Sequence, residues 1–346
     1  TQRSTLFPYT TLFRSHYAAN LIMASPREFT VIAVRPEVPY EGLEEKLCDR
    51  LRWVAPQYDG GWAELGLRVP RLFFQPSWGL PAFNRLGAEV RAAGGNVVVM
   101  FDNAWRGDLR QILGALLFRT FWRRRFSAAW VVGASGARLA RMFGFPNERI
   151  YRHHYGSDFG SLVQRGMALT SLRRKRVIFV GRLIDIKGVH ELMGAWRRFS
   201  EIHSEWELHV YGTGPLEPLV RGSHVAFHGF QQPEVIAAAM AEARFLILPS
   251  HDEHWGVVVC EAAQSGCGLL LSRAVGSHHD LVGQGNGYVF REKSEASILA
   301  ALTWAAARSD SDLQGIMSES LRMGNAYSTM EWSRVLDTII RDMQCT

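Results

Sequence analysis

Short, unbroken apolar runs, each followed by a stretch of helical period, recur along the chain in two successive series. Val97-Val-Val-Met-Phe101, Val177-Ile-Phe-Val180, Phe245-Leu-Ile-Leu248 and Leu269-Leu-Leu271 are apolar at every position. A strand of that kind is covered on both faces, and parallel sheets achieve this by returning each connection through a helix. Pro81 to Ala93, Leu109 to Phe126, Gly188 to His203 and Pro233 to Glu242 have the length and pattern such crossovers need. The alternation excludes an all-β sandwich and a helical bundle and leaves an α/β doubly wound architecture. It breaks once, between Phe159 and Arg176, into polar and basic residues that read as a linker. A chain of 346 residues is also longer than one core usually serves. Residues 16–165 are therefore expected to form a first domain and 166–328 a second. Residues 329–346 are expected to be a helix, about Met330 to Met343, that packs back toward the first.

Residues 1–15 are set apart. Thr5-Leu-Phe-Pro-Tyr-Thr-Thr-Leu-Phe-Arg-Ser15 has no clear period and no order of basic, apolar and cleavage regions, so it is not a secretory leader by pattern. It resembles a conceptual translation of the constant end of a common short-read sequencing adapter. It is expected to be a scar standing in front of a truncated first domain, with the domain's own glycine-rich loop missing.

The net charge of +6 is unevenly distributed. Residues 16–158 carry 19 Lys and Arg against 13 Asp and Glu, and residues 159–346 carry 18 against 20. The basic first half suits an acidic surface such as phospholipid or a pyrophosphate-linked acceptor, or serves solubility. These cations join no recognised nucleic-acid motif, so no nucleic-acid partner is expected. No apolar run reaches the roughly 18 residues that a membrane-spanning helix needs. Cys48, Cys260, Cys267 and Cys345 form no metal-type spacing and no disulfide framework. A reducing, cytoplasmic setting fits them. Leu116-Leu-Phe-Arg-Thr-Phe-Trp-Arg-Arg-Arg-Phe126 mixes aromatics with cations. It reads either as a core helix with a solvated basic end or as a peripheral contact with an anionic membrane.

Chemistry concentrates in the second series. Gly181-Arg182-Leu-Ile-Asp-Ile-Lys187-Gly188 follows a strand directly and opens onto a helix, where α/β domains bind anions. Arg182 would bring a planar fork and Lys187 a point charge. Gly212 and Gly214 follow the next strand and permit close backbone approach. In Pro249-Ser250-His-Asp-Glu253-His-Trp255-Gly256-Val257-Val258-Val-Cys-Glu261, two carboxylates flank seven residues. The first lies in the loop after a strand, the second in the first turns of a helix whose positive end suits a phosphate.

Taken in order, these boxes resemble the retaining family 4 glycosyltransferases, with their E-x7-E motif. So do His228-Gly229-Phe230, Gly276, Asp280-Leu-Val282 and Gly285-Asn-Gly287-x2-Phe290. The resemblance covers Val177 to about Phe290; the first half shares only its alternation and Gly156-Ser-Asp158. It implies a GT-B fold, two Rossmann-like doubly wound domains facing across a cleft, and transfer of a sugar, with retention, from a nucleoside-diphosphate sugar to an acceptor hydroxyl. The donor is a co-substrate, and neither cofactor nor metal is expected. The implied acceptor is a glycan or lipid-linked saccharide in polysaccharide assembly, at the inner face of the membrane in the lipid-linked case. Arg182 and Lys187 would neutralise the donor diphosphate. Glu253 would hold the transferred sugar, with the backbone near Gly256, Val257 and Val258. Glu261 would bind the ribose and Phe230 would lie beside the base. Gly181, Gly212 and Gly214 would line the donor, and Trp255 would shape the sugar pocket or pack beneath it.

One departure falls after the strand ending at Phe101, where the family often has a histidine. Asp102 and Asn103 are the polar groups available there for the acceptor side. Two rival readings follow. One is a GT-B-like subunit that binds a partner and no longer turns over, favoured by Phe101 and the truncation. The other is a nucleotide-sugar epimerase of the same fold, disfavoured by the basic box beside E-x7-E.

Overall fold

The computed structural model describes residues 4–6, 29–34, 50–55, 57–76, 78–159 and 173–344. The expected helix tail Tyr17 to Ala24, most of the adapter-like segment, most of the linker, Cys48 and Cys345 lie outside them. The chain divides into two compact units, Thr1–Gly156 with Thr329–Thr346, and Ser157–Ser328.

The first unit is built on a parallel sheet of β1 (Ser4–Leu6), β2 (Phe29–Val34), β3 (Leu51–Val54), β4 (Leu72–Pro76), β5 (Asn96–Phe101), β6 (Ala128–Val131) and β7 (Ile150–Tyr151). Its spatial order is β3-β2-β1-β4-β5-β6-β7. β1 belongs to the adapter-like segment, yet pairs with Phe29–Val31 on one side and Phe73–Phe74 on the other. Pairing uses backbone groups, which every residue type but proline supplies in full. The helices are α1 (Pro81–Ala92), α2 (Leu109–Leu117) and α3 (Gly133–Met142). The single helix expected to run from Leu109 to Phe126 is α-helical only to Leu117. A π turn (Phe118–Trp122) and a 3₁₀ turn (Arg123–Arg125) complete it, where Phe118 stacks on Phe143 with ring centres 4.1 Å apart.

Alternate residues of these strands feed two cores. Val97, Val99 and Phe101 face one layer, with Phe73, Phe83, Leu86 and Phe118. Val98 and Met100 face the other, with Phe29, Phe74 and Trp130. The second layer is closed by the last helix of the chain, Thr329–Gln344, through Trp332, Leu336, Ile339 and Ile340. Trp130 and Trp332 meet at 5.4 Å, and Asn96 donates to the Met343 carbonyl at 2.7 Å.

The second unit repeats the winding with β8 (Arg174–Val180), β9 (Glu207–Tyr211), β10 (Val225–Gly229), β11 (Ala243–Leu248), β12 (Gly268–Ser272) and β13 (Gly287–Phe290). The order is β10-β9-β8-β11-β12-β13, all parallel. Its crossovers include α4 (Val189–Ser200), α5 (Pro233–Glu242), α6 (Val257–Gln264) and α7 (His278–Leu281), and α8 (Glu295–Ala306) follows the last strand. α9 (Asp310–Asn325) lies against α6, and the chain's last helix becomes α10. β11 and β12 are buried throughout and β8 over Val177–Phe179, as their apolar runs require. Cys260 and Cys267 are buried free thiols.

A site at the switch point of the second sheet

A doubly wound sheet opens a crevice where its strand order reverses, beyond the carboxyl ends of the strands. In the second unit that point lies between β8 and β11. The loops leaving the strands there continue the sheet's hydrogen bonding. Gly212 N–H bonds the Gly229 carbonyl at 2.7 Å, and Gly181 N–H bonds Tyr211 at 3.0 Å. Leu183 N–H bonds Thr213 at 2.9 Å, His251 N–H bonds Ile186 at 2.8 Å, and Glu253 N–H bonds Ala274 at 3.1 Å. Four consecutive crossover loops are thereby tied edge to edge.

Two glycines make the tie sterically possible. Gly212 sits at φ 129°, and a Cβ there would lie 1.9 Å from the Gly181 carbonyl oxygen. Gly188, left-handed at φ 69°, would put a Cβ 2.3 Å from the Pro249 carbonyl oxygen. Either contact is far inside van der Waals range, so no larger residue fits without moving a loop.

The loops bring Lys187, after β8, onto Glu253, after β11. Nζ and Oε2 form an ion pair whose side chains keep 21% and 15% of their exposure. Glu253 is fixed as a one-residue bridge against Val275, with Gly276 N–H bonded to its carbonyl at 2.9 Å. Gly256, at φ 82°, then turns the chain into α6. No side chain caps that helix, so Val257 and Val258 present its first N–H groups. One turn further on, Glu261 is buried, and burial pushes its carboxyl from the ordinary 4.5 up to about 8.

The remaining expected residues fall into three groups. Arg182 is exposed beside Gly181, and Phe230, 57% exposed, follows Gly229 at the rim of the same strand ends. Gly214 lies in the zipped loop, where a Cβ would meet the Leu183 carbonyl oxygen at 2.4 Å. Trp255 does not line the site. Its indole is buried, donates to Cys260 Sγ at 3.3 Å and packs at a tilt against Tyr327 with ring centres 5.0 Å apart, so it is a packing residue. Asp102 and Asn103 belong to the first unit, at the end of β5. Tyr155 donates to Asp102 at 2.9 Å, and Phe101 is packed between Trp78 and Phe143.

Sequence reading missed a row of polar rings on β9 and β10. Tyr211 stacks on His228 at 4.4 Å, and His228 Nε2 lies 3.0 Å from His209 Nδ1. His209 meets Glu207 at 3.1 Å, and Arg176 bonds both Glu207 and Glu242. Burial lowers both histidines below the usual range. The alternation of 207, 209 and 211 signalled one shared face, but the partner on β10 depends on register.

The architecture defines a class, the GT-B fold of two Rossmann-like units. Over 99% of this chain and 100% of the other, it matches an Anabaena protein, HepE, solved with UDP and glucose, at a TM-score of 0.72 and 13% identity. Residues 174–307, within the second unit, match the family model of glycosyl transferases group 1. A 2-deoxystreptamine N-acetyl-D-glucosaminyltransferase of Niallia circulans is 24% identical over 160 residues, 44% of this chain and 40% of that protein. A glycogen synthase of Mycobacterium tuberculosis is 27% identical over 136 residues, 36% and 32% of the two chains. The matched segment spans about a third to two-fifths of these curated relatives.

Proposed function

We propose that the chain transfers a sugar from a nucleoside-diphosphate sugar to an acceptor hydroxyl, using the crevice between β8 and β11. The observation that carries this reading is the Lys187–Glu253 pair, set at the switch point beside the uncapped start of α6. A diphosphate carries more negative charge than one carboxylate. It draws the Lys187 ammonium to itself and frees Glu253 to accept hydrogen bonds from sugar hydroxyls. Arg182 and the N–H groups of Val257 and Val258 complete the anion cradle, stabilising charge as the leaving group departs. Glu261 takes the ribose hydroxyls, and exposed Phe230 borders the base.

Family likeness and the HepE complex support a nucleotide-sugar donor. Retention of configuration rests on the E-x7-E resemblance. The two cations and the helix end supply the charge that a divalent metal would otherwise bring, so the proposed reaction is metal-independent. Asp102 and Asn103 serve a glycan or lipid-linked acceptor from the first unit. The reaction belongs to the cytoplasm, at the inner face of the membrane where the acceptor is a lipid. Unbridged Cys260 and Cys267 support that setting.

A second reading, a binding subunit without turnover, is favoured by buried Phe101, which stands where the family often has a histidine. Calorimetric titration of UDP, GDP and dTDP without metal, on this chain and on Lys187→Ala and Glu261→Ala, tests the first. One nucleotide binding, and losing at least tenfold in affinity in both variants, supports the donor site. No binding to a folded chain removes it and leaves the subunit.

A further inference from the structure

Helix α2 and its π turn have apolar residues on two faces, and among the described residues only one is packed into the core. Ala115 and Phe118 are buried, Phe118 among Trp78, Phe126 and Phe143. Leu109, Leu113, Leu116, Leu117 and Phe121 point away from that core and remain 58–78% exposed. A surface helix ordinarily turns charged or polar residues to water, and a contiguous apolar stripe of this kind marks a contact.

The stripe's surroundings specify what it contacts. Between Asp108 and Glu148 the sequence holds seven arginines and no carboxylate. Arg106 and Arg110 flank one end of the stripe and Arg119, Arg124 and Arg125 the other, all exposed. Arg125 lies over the Trp122 ring at 4.3 Å, the aromatic-and-cation pairing suited to a lipid headgroup layer. Asp108 is engaged as the helix cap, accepting from Gln111 N–H at 2.8 Å. A second copy of the chain would set these arginines against themselves with no carboxylate between them, and so fits poorly.

We propose that this face docks on an anionic phospholipid bilayer, with α2 lying in the plane of the surface. Leu109, Leu113, Leu117 and Phe121 enter the acyl boundary while the arginines meet lipid phosphates. The inference goes beyond sugar transfer and stands whether or not the second unit binds a nucleotide.

Flotation of the whole chain with vesicles tests it. The chain should float with phosphatidylglycerol–phosphatidylcholine vesicles, stay behind with pure phosphatidylcholine, and be released by salt. Leu113→Ser combined with Leu117→Ser and Phe121→Ser should lower partition at least tenfold. Arg119→Gln, Arg124→Gln and Arg125→Gln together should lower it by about fivefold per cation lost. Both variants change only exposed side chains and should keep the circular dichroism of the parent. Failure of the parent to float with anionic vesicles overturns the proposal. So does undiminished flotation of the serine variant, or a dimer in sedimentation that the serine substitutions dissociate and lipid does not affect.

Discussion

The two sheets share a winding order but treat their strand ends in opposite ways. In the first unit the ends of β4 and β5 run into an aromatic cluster, with Trp78, Phe101, Phe118 and Phe143 ring to ring at 4.1–5.5 Å. In the second unit the equivalent region, beyond β8, β11 and the start of α6, holds Lys187, Glu253 and Glu261. The strand ends of the first unit are organised for packing and those of the second for charge. The difference teaches where stability and binding are separated: removing an aromatic should weaken the first unit, and removing a charge should weaken ligand binding in the second.

The largest expected effect is on packing. Phe143→Ala should destabilise the first unit by about 3–5 kcal/mol, the usual range for a buried aromatic, read by urea denaturation, with nucleotide affinity unchanged. A comparable loss of affinity would break the comparison. Next, Lys187→Ala should lower the rate of sugar transfer about a hundredfold, the scale of a lost charge-stabilising donor. If the rate holds while only stability falls, Lys187 is structural and the charged end is not a site.

The smallest step, taken per pH unit, is a pH dependence. Glu261 is held neutral when folded up to about pH 8, against an ordinary 4.5, because its ionised form is desolvated. Between those values the unfolded chain has released the proton and the folded chain has kept it. Stability is therefore lost as pH rises across that window, by up to about 1.4 kcal/mol per pH unit. Glu261→Gln mimics the neutral acid and should remove the slope, so the stability gap between variant and parent widens from pH 5 to pH 8. Denaturation at several pH values measures it; parallel curves would mean that the carboxyl is ionised in the folded chain.

The charged end was legible in the sequence because its loops need particular residue types in order. Gly188 and Gly212 stand where neighbouring carbonyl oxygens leave no room for a side chain, and Lys187 and Glu253 are fixed relative to them. The fate of Trp255 was not legible, since its partner Tyr327 is distant in sequence and only tertiary packing joins them. Helix α9 escaped notice although Ser309 and Asp312 form a capping box. Its buried residues include Ser320 and Gly324, and a Cβ on Gly324 would lie 2.6 Å from the Gln264 backbone nitrogen. A helix seated through small residues leaves little apolar period to read. Strand β3 was hidden because Arg52 and Trp53 interrupt its four residues. α2 was ambiguous for the opposite reason: leucines all round it read as core, and only the fold shows which of them are left outside.

The closing helix gives the chain an order of assembly during synthesis. The second unit is one uninterrupted stretch, whereas the layer of Phe29, Phe74, Val98 and Trp130 is completed by residues after Ser328. At roughly 5–20 residues per second, that half-built layer waits on the order of ten seconds or more for its cover to leave the ribosome. During that interval the first unit is the part of the nascent chain most in need of a chaperone, and the second, though translated later, is the part that can finish folding first.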